Sequence, residues 1–326
     1  MTEADLGKIA NWYRRFASDE AHGRSPLYEQ LCLAVAEDEE VLAFLAMLPW
    51  PKRQPNLLLA SYRWLFGVPD DFAAFRRSLL AHRDAVASEM LARATQTNEA
   101  GRCAMLLPAL ARLPQPLALI EVGAAAGLCL QPDRYAYDYG HQRLGPARSS
   151  LAPPVLHCAA DAPTPLPSAL PRIVWRKGID LNPIDVGDEE AVRWLETLVW
   201  PEQGDRLARL RKAIALARLH QVEVQKGDLL TELPRLCSEA PENATLVIFH
   251  TAVLCYVQDQ VAREQFGEQA MELGDFWLSN EDAEVFPAFA PGDERHPGKH
   301  LLAQNGRPLA WTDAHGATIE WIEQPR

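Results

Sequence analysis

The sequence predicts an α/β protein: a three-layer arrangement with a mostly parallel sheet, an antiparallel edge at the C-terminal end and an N-terminal helical cap. Three observations predict it. Residues 1–114 read as helix after helix. From Pro114-Gln115-Pro116 onward, short apolar runs alternate with helical stretches, as in parallel strands joined by crossover helices. Residues 300–322 read as a meander, with Asn305-Gly306 as a hairpin signal. The predicted division is a cap over 1–114 and an α/β domain over 115–326, with an insertion at 128–170.

Each element has a local reason. Ser25-Pro26 offers an N-cap followed by proline at the first helical position. Asp38-Glu39-Glu40 precedes the helical stripe Val41, Leu42, Phe44, Leu45 and Leu48, which Pro49 and Pro51 end. Pro55 starts a further helix through Leu57, Leu58, Tyr62, Leu65 and Phe66, stopped by Gly67. Helices are expected to continue over 70–84 and 88–113. Strands are expected at Leu117–Val122, 172–180, 222–224, 245–249 and 276–279, with helix over 189–219 broken at Pro201 and Gly204. Residues 128–170, rich in proline and carrying the run from Asp133 through Tyr135, Tyr137 and Tyr139 to Gly140, fit neither pattern. A long irregular segment is either a surface excursion or functional.

Composition narrows the function. The chain has 326 residues, 48% hydrophobic and 23% charged, which excludes wholesale disorder. Lys+Arg number 32 and Asp+Glu 44, a formal charge of −12. That argues against a general binder of nucleic acid or anionic membranes, which needs a basic face. The opening residues lack the basic and apolar regions of a secretory signal, and no apolar run approaches the ~18–20 residues of a membrane span. The six cysteines form no C-x-x-C pair and have no histidine at zinc-finger spacing. A soluble, cytoplasmic protein with thiols as small core residues and no metal centre is expected.

The most informative stretch is Leu117-Ala118-Leu119-Ile120-Glu121-Val122-Gly123-Ala124-Ala125-Ala126-Gly127. An apolar strand enters a turn made only of Gly and Ala, where Gly123, Ala125 and Gly127 let a ligand approach the backbone. The turn is expected to open a helix whose free N–H groups favour lone pairs or negative charge. In open α/β sheets, ligands lie at strand carboxyl ends where strand order reverses. The pattern is E-x-G-x-x-x-G, not the G-x-G-x-x-G dinucleotide fingerprint. A carboxylate at Glu121 repels a pyrophosphate and suits an ammonium or sulfonium ligand. The alternative is a tight junction that needs small residues for packing alone. Asp180 ends the second strand and is placed to bind two ribose hydroxyls. Asn182-Pro183 beyond it reads as another helix start. Gly227-Asp228-Leu229 follows the third strand; Asp228 suits an adenine amino group, or is an ordinary Gly-Asp turn.

These three acids, in this order after three strands, resemble class I S-adenosylmethionine-dependent methyltransferases, whose sheet is Rossmann-like. Residues 117–127 look like that family's first motif, Asp180 its ribose acid and Asp228 its adenine-side acid; residues 245–256 look like its fourth strand and the loop that carries catalytic or substrate-facing residues. The resemblance covers about two thirds of the chain, and the 128–170 segment departs from it by lengthening the path to Asp180. The whole sequence also resembles a bacterial family of uncharacterised function. Its marks here are Thr97-Asn98-Glu99 with Arg102, residues 121–127, the tyrosine run, His250-Thr251 and His315-Gly316.

The resemblance implies S-adenosylmethionine as cofactor, held by Glu121, Gly123, Ala125, Gly127, Asp180, Asp228 and Leu229. It implies a transferase acting on a small-molecule or protein acceptor. His250, after the fourth strand, is the candidate catalytic base. Asn98, Glu99, Arg102, Tyr135 and Tyr137 are candidates for substrate contact or a lid. Arg102 suits a carboxylate fork, or a helix-surface pair with Glu99. The alternative to an enzyme is a non-catalytic adenosyl-ligand binder or scaffold.

Overall fold

The computed structural model describes residues 3–148, 151–292, 296 and 298–322. They divide into two compact units: Met1–Thr97 with Glu189–Ala208, and Asn98–Asp188 with Arg209–Arg326. Residues 98–114 thus group with the sheet, and 189–208 group with the N-terminal helices.

The helical unit opens with α1 (Glu3–Arg15), a π-helical turn (Phe16–Ala21), α2 (Pro26–Val35) and α3 (Glu39–Ala46). It continues with α4 (Pro55–Phe66), α5 (Phe72–Ala81) and α6 (Arg83–Ala92). The starts are capped: the Ser25 hydroxyl accepts from the Tyr28 amide, Asp38 from Val41 and Asp71 from Ala74. Gly67, at φ +81°, ends α4. The expected helix over 88–113 is two helices. The chain is extended at Arg93 and forms a short 3₁₀ turn at Ala100–Arg102 before α7 (Cys103–Leu110). A polar stretch, Thr95 to Asn98, supplies no apolar stripe to continue the helix. The core of the unit is built on Tyr13, Leu31, Leu45, Leu57 and Phe75. Arg93 stands over the rings of Trp64 and Trp194, 4.1 and 4.9 Å from their centroids, and pairs with Glu89 and Glu190.

In the sheet unit, β1 (Leu117–Val122) is buried along its whole length, as a central parallel strand must be. The 128–170 segment is more ordered than its composition suggests. It holds β2 (Ala136–Asp138), β3 (Arg143–Leu144) and β4 (Val155–His157), which form a small sheet, and β5 (Ala159–Ala160), which joins the large one. β6 (Ile173–Asp180) follows. Then come α8 (Glu189–Leu198) and α9 (Gly204–His220). No helix starts at Asn182-Pro183; residues 181–188 are irregular, and the next helix begins at Glu189. The remaining elements are β7 (Glu223–Lys226), α10 (Leu229–Cys237), β8 (Thr245–Thr251), α11 (Gln260–Leu273), β9 (Phe276–Asp282), β10 (Lys299–Gln304), β11 (Arg307–Asp313) and β12 (Thr318–Trp321).

The large sheet runs β5-β12-β11-β10-β9-β8-β1-β6-β7. From β9 to β7 every pairing is parallel; β10, β11 and β12 add an antiparallel edge. Asn305 and Gly306 turn between β10 and β11 with φ of +50° and +75°, as a two-residue hairpin demands. Within the parallel block, the chain moves outward from β1 to β6 and β7, then returns to β8 on the other side. Strand order therefore reverses between β1 and β8. An apolar cluster with Ile120, Ile248, Phe266 and Trp277 fills the face under α10 and α11.

Candidate functional site

Side chains two residues apart on a strand share a face. Glu121, Phe249 and Leu278 are register partners on β1, β8 and β9, so Thr251 and Asn280 continue the same face. The opposite face carries Ile120, Ile248, His250 and Glu281.

The turn after β1 is where strand order reverses, and its backbone is unusual. Gly123, Ala125 and Gly127 have φ of +70°, +47° and +66°. A Cβ on Gly123 would sit 2.3 Å from Val253 Cγ2, so glycine is required there by conformation and by contact. The expected helix does not follow; a 3₁₀ turn at Leu128–Leu130 does. A left-handed Gly127 redirects the chain before an α-helix can propagate.

The turn's amides are occupied by the protein itself. Gly123 and Ala124 donate to the Ile179 carbonyl at 2.8 and 3.2 Å, and Gly127 donates to the Ala124 carbonyl at 2.7 Å. Ala125 donates to Asp180 Oδ2 and Ala126 to Asn98 Oδ1, each at 2.9 Å. The other Asp180 oxygen accepts from the Asn182 amide at 2.7 Å. So Asp180 does reach the turn, and in this structure both its oxygens bind backbone.

Three strands and one strap bring the other candidates together. Glu121 is 4% exposed, and its Oε2 has no hydrogen-bond partner. Burial raises its pKa well above the usual carboxyl range; the thiol of Cys129 adds to this and the Arg102 charge opposes it. The strap Asn98–Arg102 lies at the same end of the sheet. Glu99 Oε1 accepts from the Gly101 amide and from Arg209 Nε, both at 2.9 Å, so its ion-pair partner is Arg209 rather than Arg102. Arg102 Nε donates to the Ala314 carbonyl, and Nη1 to the Thr251 carbonyl and hydroxyl at 2.8 and 3.3 Å. A Cβ on Gly101 would be 2.5 Å from the His315 carbonyl oxygen, and one on Gly316 would be 2.2 Å from the Gly101 oxygen. The strap and the β11–β12 turn therefore touch backbone to backbone.

Four expectations need correction. His250 is fully buried on the opposite face, between Trp277 and Phe266, with Nδ1 2.7 Å from Glu281 Oε1. Enclosed on the face away from the turn, it is not placed to act as a base there. Tyr135 and Tyr137 are core residues, with hydroxyls donating to the Leu128 and Pro132 carbonyls. Glu99 is a buried partner of Arg209, not a lid carboxylate. Asp228 is the N-cap of α10, accepting from the Leu230 amide at 2.9 Å, while Leu229 packs partly buried against the core.

Reasoning on the sequence overlooked Val253, Asn280 and Thr312. Glu281 holds the loop after β8: one oxygen accepts from His250 Nδ1 and from the Val253 and Leu254 amides at 2.8 and 3.1 Å. Burial opposes its ionisation, yet the His250 contact and these amides keep its pKa below the usual value. Thr312 Oγ1 donates to Asn280 Oδ1 at 2.8 Å. The available signal for Asn280 was the polar run Ser279-Asn280-Glu281-Asp282 that ends an apolar strand.

Asn98, Arg102, Glu121 and Asp180 thus lie at one end of the sheet, and His250 and the tyrosines do not. Residues 10–321 match DUF2332, described as an uncharacterized protein conserved in bacteria. The chain belongs to this family. No curated protein and no solved structure matches it.

In this DUF2332 chain a cleft of about 630 Å³ opens beside the turn, bounded by Ala126, Ile184, Val186, Arg218, Val222 and Val224. Among the described residues no group of His, Cys, Asp and Glu is arranged to hold a metal ion, and no helix is long and apolar enough to cross a membrane. All six cysteines are free thiols; four are buried, Cys237 is half-buried and Cys255 is exposed.

Proposed function

We propose that this chain binds S-adenosylmethionine at the carboxyl end of β1 and transfers its methyl group to a small-molecule or protein acceptor, as class I methyltransferases with a Rossmann-like sheet do. The observation that carries the reading is the reversal of strand order between β1 and β8, with a Gly/Ala turn there and Asp180 at the end of the neighbouring strand. Glu121, buried at that end with Oε2 unpartnered, would have to ionise to receive a cationic group, against the burial that favours its neutral form. The 630 Å³ cleft beside Ala126 is of a size that small ligands use.

In this reading Asp180 keeps the turn in shape and offers its remaining lone pairs to ribose hydroxyls. Asn98 gives up the Ala126 amide when ligand enters. When bound, the cofactor supplies an electrophilic methyl, displaced in line by an acceptor held within ~3–3.5 Å. The chain's task is alignment and exclusion of water; no side chain is assigned as base.

A second reading, a non-catalytic scaffold, is favoured by one observation: every amide from Gly123 to Gly127 already has a protein acceptor. Calorimetry separates the two. Ligand entry that displaces Asn98 predicts binding of S-adenosylmethionine or S-adenosylhomocysteine that is about 2- to 10-fold tighter in Asn98→Ala, the worth of one hydrogen bond. No heat from either protein at millimolar ligand would sink the adenosyl reading.

A further inference from the structure

Arg102 is 6% exposed, and its guanidinium forms no ion pair among the described residues. Its bonds go to two carbonyls and one hydroxyl, which solvate the charge without neutralising it. Buried charges are ordinarily paired, because an uncompensated one carries a large desolvation cost. The acids near it do not supply the partner. Glu99 is taken by Arg209, and Glu281 lies on the opposite face with His250. No ion pair joins Arg102 to Glu121, which burial drives toward its neutral form although the Arg102 charge opposes this.

Asn280 points to the same place. It is the register partner of Thr251, the residue that Arg102 grips, and is fully buried. The Thr312 hydroxyl occupies its Oδ1, which turns its Nδ2 the other way, and that Nδ2 has no partner. A buried amide donor left without an acceptor is costly, so this group favours an incoming oxygen. Arg102 Nη1 bonds Thr251, the register partner of Asn280, so the guanidinium and the unpartnered amide both adjoin that residue.

We propose that Arg102 and Asn280 form a binding site for the carboxylate of a small organic acid. Together they present one positive charge and a neutral donor, which matches a monoanion with two acceptor oxygens. A phosphate dianion would need more positive charge than Arg102 alone provides. The site uses neither the 123–127 turn nor Asp180, so it stands whether or not an adenosyl ligand binds there.

The test is calorimetry of the full-length protein with propionate and with inorganic phosphate, each up to 20 mM at ~0.15 M ionic strength set with chloride. Wild type is expected to bind propionate saturably and phosphate at least tenfold more weakly. Asn280→Asp, which keeps the shape and hands Arg102 an internal carboxylate, is expected to lose at least tenfold in propionate affinity. Arg102→Lys is expected to retain weakened binding. Absence of saturable propionate binding to wild type, equal binding by Asn280→Asp, or preference for phosphate would each overturn the proposal.

Discussion

Glu121 and Glu281 are buried carboxyl groups on opposite faces of one sheet, and their surroundings drive them in opposite directions. Glu121 is held above its usual pKa by burial. Its stabilising contribution is intact below its unfolded value of ~4.3 and is lost as pH rises through the higher folded value. Glu121→Gln, which cannot ionise, should therefore gain on wild type as pH increases. Urea unfolding of both proteins at pH 5 and pH 8 checks this, and a constant difference would refute it. Glu281 is held below its usual value despite burial, because His250 and two amides stabilise its charge. Its contribution is present above ~4.3 and disappears as pH falls through the lower folded value. Glu281→Gln should cost about 1–3 kcal/mol at pH 7 and progressively less in acid. A deficit that persists unchanged at pH 3, in the same unfolding assay, would contradict this account of the pair. Glu121 could be picked out in the sequence as a polar residue interrupting an apolar strand, and Glu281 as one of a polar run that ends a strand. Their faces could not, because a strand's register is set by its neighbours.

At the scale of elements, the β8 loop and the β1 turn form a fitted pair. Glu281 pins the Val253 amide, and the Val253 side chain covers Gly123. Gly123→Ala adds a Cβ at 2.3 Å from Val253 and forces a left-handed alanine, so a loss of about 2–4 kcal/mol is expected. Adding Val253→Ala removes the collision but not the backbone strain, and should recover part of that loss. Strictly additive effects in a double-mutant cycle would show that the two residues are not in contact. In the helical unit Asp38 caps α3 and also meets Arg76, so Asp38→Ala should cost about 1 kcal/mol or more by thermal unfolding. Helices with caps and proline starts were legible locally: α2, α3 and α4 follow Ser25, Asp38 and Pro55 within a residue or two. The break at residues 93–99 showed only as the polar stretch Thr95 to Asn98, which does not say where it leads. There Asn98 bonds across to Ala126, a contact far along the chain that no local pattern encodes. Pro183 was misleading for a related reason: a proline after asparagine suits a turn as well as a helix start.

For the molecule as a whole, alternation of short apolar runs with helical stretches was enough to expect a mostly parallel sheet with an antiparallel edge, and the sheet has both. Alternation does not encode strand order, since β1 has the same sequence whichever strands flank it. Nor did composition reveal that residues 128–170 form a small sheet of their own, because strands of two and three residues leave no periodic trace. The candidate site was legible as a set of marks and illegible as a geometry. Glu121, Asp180, Asn98 and Arg102 do gather at the carboxyl end of the sheet, whereas His250 and the tyrosines turn away into the core. What unites the site is that its donors are held by the protein's own acceptors. A crystal structure grown with millimolar S-adenosylhomocysteine addresses this most directly. The account predicts density for the nucleoside along residues 121–127, with the Asn98 side chain withdrawn from the Ala126 amide. An empty corner, with Asn98 Oδ1 still bonded to Ala126, would contradict it.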